Sequence, residues 1–290
     1  MTSFTGIWVA LATPFTATTE IDIAALQAIS CQLIDAGISG LVVCGSTGEA
    51  AALSAEEQLQ ALDAVLAVIP ANKVVMGLAG NNLAQVLERL QQIRQRAVAG
   101  ILVTPPYYIR PSQAGIVEYF CAIADASALP VILYNIPYRT GVDMELETIR
   151  QLAQHERIVA IKDCGGNQQA TMQLIADKQL QVLTGEDHQL LSNLSLGGAG
   201  AIIASAHLRP DLFARLARLM ADGDITQARE IFYRLLPMIR LLFEEPNPAP
   251  LKAALSLQGR ATATLRPPMQ TATPAMRDKI QKELALLQAI

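Results

Sequence analysis

Charged side chains make up only 17% of the 290 residues, against about a quarter in most soluble domains. A chain so poor in charge and 51% hydrophobic suits a large buried core, with further surface covered by subunit contacts. The net charge is −4 and no basic cluster occurs, which argues against nucleic acid or an anionic membrane as partner. No lysine or arginine precedes Lys73. The apolar stretch from Ile7 to Ala12 therefore lacks the positive flank of a secretory leader, and it is too short to span a bilayer. Four scattered cysteines (Cys31, Cys44, Cys121, Cys164) form no C-x-x-C pair, so reduced thiols in a cytoplasmic protein are expected. His155, His188 and His207 share no metal-binding spacing, and nothing points to a metal site. No G-x-G-x-x-G follows an early strand, which lowers the case for dinucleotide binding.

What is present is a rhythm. Apolar runs of strand length recur every 20 to 35 residues or so, a spacing suited to β-α units. They are Ile7–Ala12, Leu41–Cys44, Val74–Gly77, Ile101–Val103, Val131–Tyr134, Val159–Lys162, Val182–Thr184 and Ala201–Ala204. Helical patterns lie between them. Ser54 with Glu57 forms a capping box, before a face of Leu59, Leu62, Val65 and Leu66. Ser112 opens another helix, with Ile116, Val117, Phe120 and Ile123 inward, and a third pattern runs from Leu83 to Val98. Ala36-Gly37 marks a helix end. Eight strands alternating with helices predict a closed (β/α)8 TIM barrel rather than an open sheet. After the eighth strand, three helical segments are expected, at Ile225–Phe243, Pro250–Leu257 and Pro274–Ala289. The expected organisation is a catalytic barrel over residues 1–223 and a C-terminal helical region over 224–290.

Active sites of such barrels lie at the C-terminal ends of the strands. The sixth strand ends in Ile161-Lys162-Asp163-Cys164 before Gly165-Gly166-Asn167, so Lys162 reads as its last side chain, facing a loop. Burial disfavours a charged amine and lowers its pKa, and such lysines form Schiff bases with carbonyl substrates. Of the six lysines, only Lys162 combines an apolar strand, the strand's C-terminal end and a polar turn. The second strand ends in Gly45-Ser46-Thr47-Gly48-Glu49, where backbone N–H groups and hydroxyls could converge on a small anion. A carboxylate fits; a triphosphate does not, because the Walker lysine is absent. The same residues could equally form an ordinary turn. The fourth strand ends in Thr104-Pro105-Pro106-Tyr107-Tyr108, whose prolines could hold one tyrosine out of the barrel. The fifth ends in Tyr134-Asn135-Ile136-Pro137-Tyr138-Arg139-Thr140-Gly141. Tyr134 needs a hydroxyl partner within its apolar strand, and Arg139, on a loop, could pair with a carboxylate. Taken singly, these remain open to reading as a core tyrosine and a surface arginine. The glycines of Leu196-Gly197-Gly198-Ala199-Gly200 precede the eighth strand, on the face opposite the chemistry, and suit close helix–strand packing.

The ordered set G-S-T-G-E, T-P-P-Y-Y, Y-N-I-P-Y-R-T-G and I-K-D-C resembles the pyruvate-dependent class I aldolase family that includes dihydrodipicolinate synthase and N-acetylneuraminate lyase. The resemblance runs from Phe4-Thr5-Gly6 to about Arg266-Pro267-Pro268-Met269. It implies that Lys162 forms an imine with pyruvate beside the general acid/base Tyr134. Ser46 would link Tyr134 to Tyr108 in a proton relay, with that last tyrosine contributed by a neighbouring subunit. Thr47 would bind the pyruvate carboxylate, Arg139 the carboxylate of L-aspartate-4-semialdehyde, and Gly185 and Ile202 would present backbone carbonyls near the imine. No metal or organic cofactor is then needed, and a homotetramer built as a dimer of dimers is implied. The activity implied is the condensation that opens the lysine and diaminopimelate branch.

Two departures bear on this. Ser46 is the residue common in sialic acid lyases, where the synthases usually have threonine, and His207 stands where they usually have asparagine. Arg139 and Tyr107-Tyr108 point back to a synthase, since a sugar-acid lyase needs no guanidinium there. The alternatives are a lyase or aldolase for another 2-keto acid, and a catalytically silent keto-acid-binding homologue. Positions that bind inhibitory lysine in many bacterial synthases are matched here by Ala55, Gln58 and Gln85, with Asn81 and Tyr107 retained, so weak or absent lysine inhibition is expected.

Overall fold

The computed structural model describes residues 3–288. Eight parallel strands close into a barrel in sequence order: β1 Gly6–Ala10, β2 Gly40–Val43, β3 Val74–Leu78, β4 Gly100–Val103, β5 Val131–Asn135, β6 Ile158–Asp163, β7 Gln181–Thr184 and β8 Gly200–Ile203. The two-residue period of each strand divides its side chains between two cores. Trp8, Ala10, Val42, Val75, Leu102, Ile132, Ala160, Leu183 and Ile202 fill the barrel interior. Their neighbours Ile7, Val9, Leu41, Val43, Val74, Ile101, Val131 and Ile161 face outward under the helices. Lys162 has the parity of Ala160, and Tyr134 that of Ile132. Both therefore point into the barrel.

Closure between the first and last strands demands close backbone approach. Gly200 sits at φ +153°, and a Cβ there would lie 1.9 Å from the Gly6 carbonyl oxygen; the expected helix–strand packing is at Gly198, where a Cβ would stand 2.3 Å from Asn193 of the helix Leu190–Ser195. At the same end, the rings of Phe4 and Trp8 meet with centroids 5.3 Å apart.

The expected helix starts are present. Ser54 caps Ala55–Leu66 with a reciprocal capping box; Ser112 caps Gln113–Ala126, and Asn82 caps Leu83–Arg94. The first helix, Ile23–Asp35, ends at Ala36 before Gly37 at φ +96°. Four helices, not three, follow β8. Pro210–Ala221 precedes Ile225–Leu241, Ala249–Leu257 and Pro274–Gln288; Ala289 lies outside the described residues. The overlooked helix starts on Pro210 without a side-chain cap, so the usual polar start signal is missing. No helix among the described residues is long and apolar enough to cross a membrane, and all four cysteines are unpaired.

Candidate active site

A cleft of about 970 Å³ opens at the C-terminal ends of the strands. It brings together Ser46, Thr47, Tyr134, Arg139, Lys162, Gly185 and Ile202, seven of the eight residues singled out from the sequence. Lys162 is 4% exposed. It is the penultimate residue of β6, not the last, because pairing continues through Asp163. Its register partner on β5 is Tyr134, and its Nζ lies 4.1 Å from the centre of the Tyr134 ring. Burial pushes the Lys162 amine below its ordinary pKa; Cys164, Asp187 and Glu186 oppose that, and Arg139 adds to it. No carboxylate lies within ion-pairing distance of Lys162 among the described residues. The neutral nucleophilic form is favoured by burial and by the lack of a directly paired acid.

Burial also raises the Tyr134 phenol well above its usual range, while the neighbouring Ser46 hydroxyl pulls the other way. Tyr134 is therefore a neutral O–H at physiological pH, a proton donor beside an amine. Gly185 makes room for the lysine. A Cβ at this position would stand 2.6 Å from Lys162 Cε and 2.3 Å from Cys164 Sγ. A side chain there would displace the reactive amine.

The turn after β2 folds partly back on itself. The N–H groups of Gly48, Glu49 and Ala50 bond the carbonyls of Gly45 and Ser46, and Thr13 Oγ1 donates to the Gly48 carbonyl at 2.7 Å. The turn is closed on itself, and Glu49 turns away into the protein. What faces the cleft is the Ser46 and Thr47 pair. Asn247 Nδ2 donates to Thr47 Oγ1 at 3.0 Å, orienting that hydroxyl from the C-terminal region. Arg139 sits on a one-turn helix, Pro137–Thr140, rather than a loop. Pro137 presets the first helical φ and Gly141 ends the turn at φ +78°.

Tyr108 is not brought to the cleft within one chain. It is 87% exposed at φ +70°, on a loop where Tyr107 and Ile109 are also exposed. Tyr107 lines a second cavity of about 410 Å³, which shares Ser46, Tyr134 and Arg139 with the first.

Several contributors were not identified from sequence. Asp187 is buried, accepts from the N–H groups of Ser205 (2.6 Å) and Ala204 (3.1 Å) and bonds the Ser205 hydroxyl. It ties the turn after β7 to the turn after β8 beside Lys162, and burial raises its pKa. An acid three residues past a strand end was the available signal. Phe232, Tyr233, Phe243 and Asn247 form a wall of the cleft from the C-terminal region, and no local pattern marks them. His207 is fully buried. Its Nε2 accepts from Ala12 N–H at 3.2 Å and its Nδ1 donates to the Ala204 carbonyl at 2.7 Å. It holds two strand ends together as a neutral imidazole, its pKa pushed down to about 4 by burial.

Comparison with known proteins agrees with this geometry. Residues 3–287 match the Dihydrodipicolinate synthetase family. The 4-hydroxy-tetrahydrodipicolinate synthase of Methanococcoides burtonii is 40% identical over 271 residues, covering 92% of each chain. The crystal structure of dihydrodipicolinate synthase from Aquifex aeolicus superposes with a TM-score of 0.95 at 32% identity, covering 98% of each chain. The synthase of Cyanidioschyzon merolae, solved with lysine bound, superposes with a TM-score of 0.95 at 30% identity over 99% of each chain.

Proposed function

Because the chain belongs to the dihydrodipicolinate synthetase family, we propose that it is a 4-hydroxy-tetrahydrodipicolinate synthase, condensing pyruvate with L-aspartate-4-semialdehyde. The observation that carries this reading is a buried amine, Lys162, packed on the face of a neutral phenol, Tyr134, at the mouth of the barrel. The neutral Lys162 amine adds to the keto carbon of pyruvate. Tyr134 donates a proton to the departing hydroxyl, water leaves, and an imine forms. Removal of a methyl proton then gives an enamine, whose carbon attacks the aldehyde of the second substrate. Ser46 keeps Tyr134 in a proton-exchanging pair, and Thr47 receives the pyruvate carboxylate. Gly185 and Ile202 present backbone carbonyls to the imine region. Arg139, unpaired in the cleft, receives the carboxylate of the semialdehyde. No cofactor enters this sequence.

We further propose that the active unit is an oligomer, a dimer of dimers, in which Tyr108 completes the relay of a neighbouring subunit. Its support is the exposure of Tyr107, Tyr108 and Ile109 on one loop, an aromatic and aliphatic surface that a partner would cover. Four unpaired cysteines suit a reducing cytoplasm. Lysine inhibition should be weak or absent. Gln58, at the second cavity, bonds the Arg89 guanidinium, which also lines it, and a fixed cation repels a lysine ammonium. Half-inhibition at micromolar lysine would refute that.

The test is to incubate the protein with pyruvate and borohydride, digest it, and identify the reduced adduct by mass. The Lys162 peptide should carry it; an unmodified peptide refutes the reading. Turnover of aspartate semialdehyde, with none of N-acetylmannosamine, then selects the synthase over the lyase.

A further inference from the structure

Two cavities meet at Ser46, Tyr134 and Arg139, and only the first holds the reactive amine. The first also has four acids in its wall, Glu186, Asp187, Glu244 and Glu245. The second, of about 410 Å³, has none; its charged lining residues are Arg89 and Arg139. The steps above leave it without an occupant.

Arg89 comes from the helix Leu83–Arg94 and is half-buried. Its guanidinium donates to the Ala79 carbonyl at 3.3 Å and to Gln58 Oε1. Gln58 is itself 6% exposed, and its Nε2 donates to the carbonyls of Ala50 (2.9 Å) and Leu53 (3.3 Å). That amide can turn only its oxygen toward Arg89, so neutral acceptors hold the guanidinium in place. Neither contact cancels its charge. Among the described residues the ion-paired arginines are Arg96, Arg150, Arg157, Arg209 and Arg266; Arg89 and Arg139 have no carboxylate. Thr104 lines the same cavity, and its buried hydroxyl has no partner. A fixed cation, a second cation and a spare hydroxyl, with no acid among them, are complementary to an anion.

The two guanidiniums belong to different sides of the cavity. Arg89 bonds the chain just past β3, and Arg139 follows β5, with Leu102 and Thr104 of the intervening β4 segment between them. Two strand spacings are about 10 Å, too far for one phosphate or one carboxylate to reach both. A short chain with a carboxylate at each end reaches both, and each guanidinium offers the planar fork that a carboxylate takes.

We propose that this second cavity is a binding site for a small dicarboxylate, with one carboxylate on Arg89 and the other on Arg139, and that its occupation withholds Arg139 from the second substrate. The site is distinct from the cleft around Lys162. Arg89 takes no part in the reaction.

Succinate is the probe, with butyrate as the same chain bearing one carboxylate and inorganic phosphate as a compact anion. Each is titrated calorimetrically into the full-length protein at saturating pyruvate. Succinate should bind at least about tenfold more tightly than either control, the difference expected for one charge-assisted contact. Arg89→Met should lose at least about tenfold in succinate affinity, while unchanged borohydride trapping of pyruvate at Lys162 shows the variant to be folded. Arg89→Lys, which keeps the charge and loses the fork, should recover part of that loss. Succinate should also inhibit competitively against aspartate semialdehyde, and Arg89→Met should raise its inhibition constant by the same factor. No binding of succinate, equal binding of butyrate or phosphate, or an inhibition constant unmoved in Arg89→Met would overturn the inference. Should Arg89→Met fail to fold, the comparison of the three anions on the unaltered protein still decides it. Only the inhibition rests on the reading of the site given above. A protein that binds succinate as described but does not turn over aspartate semialdehyde would overturn that reading and support the anion site.

Discussion

Lys162 and Lys252 are both buried lysines, and both lie over an aromatic ring. Lys252, in the helix Ala249–Leu257, is 1% exposed with its Nζ 4.0 Å from the centre of Phe15; Lys162 lies 4.1 Å from the centre of Tyr134. Burial lowers the pKa of each, Lys252 to about 8. The difference is in partners. Lys252 forms an ion pair with buried Glu49 and donates to the Thr264 carbonyl at 2.9 Å. Glu49 Oε2 in turn accepts from Arg266 N–H at 3.2 Å, while its Oε1 has only the charge contact with Lys252 and no well-aligned hydrogen bond. That cluster joins the turn after β2 to the C-terminal helices, beneath Thr47. Lys162 has no such acid and faces a cleft. A buried amine with a paired carboxylate is a strut; the same amine without one is a nucleophile.

Removing the nucleophile should have the largest effect. Lys162→Ala should abolish borohydride trapping and reduce turnover by at least about 10³-fold, the scale of losing a covalent catalyst. Its Tm should hold or rise, because a poorly solvated charge site disappears. A variant retaining a tenth of the activity would break the contrast. Lys252→Met should do the reverse. It leaves Glu49 buried without its cation and should destabilise the fold by about 3–5 kcal/mol, measured by denaturant unfolding, while the folded fraction still traps pyruvate. A third buried base sharpens the comparison. His207 is held neutral, with a folded pKa of about 4 against 6.5 ordinarily. Protons bind the unfolded state first, so its stabilising contribution is complete above pH 6.5 and is lost as the pH falls toward 4, by about 3 kcal/mol in all. His207→Asn should flatten that part of the stability–pH curve; an unaltered slope refutes the neutral assignment. For Lys162 the direction is tested by the pH dependence of trapping, whose midpoint should lie below 10.5. The smallest change is Asn247→Ala, which loses one neutral hydrogen bond to Thr47. It should raise KM for pyruvate about fivefold, roughly 1 kcal/mol, with kcat little changed.

Strand parity was legible in the sequence because a barrel strand alternates between two distinct cores. Ala160 and Lys162 therefore had to share a face, and Tyr134 on the neighbouring strand could join them. The capping box at Ser54 and Glu57 was legible because both partners lie within one turn. The helix Pro210–Ala221 was harder to place, since Arg209 supplies no cap to signal its start. At the turn after β2 the glycines say where the bend occurs, not which of its N–H groups are used within the turn. Once Gly48, Glu49 and Ala50 bond back onto the turn, their donors are unavailable to a ligand. Lys252 escaped notice because its partner, Glu49, is far away in the sequence, and an acid and a base on separate elements leave no local pattern.

The sequence by itself determined the barrel, the face on which chemistry occurs, and the choice of Lys162 over five other lysines. Each follows from a local period or from one residue's position at a strand end. Only the tertiary structure decided which groups surround that amine. Asp187, Asn247 and the aromatic wall come from turns and helices that meet it solely through folding. It also separated two lysines that burial treats alike, because a side chain's protonation depends on the charges facing it across space, and those neighbours are assembled from distant parts of the chain.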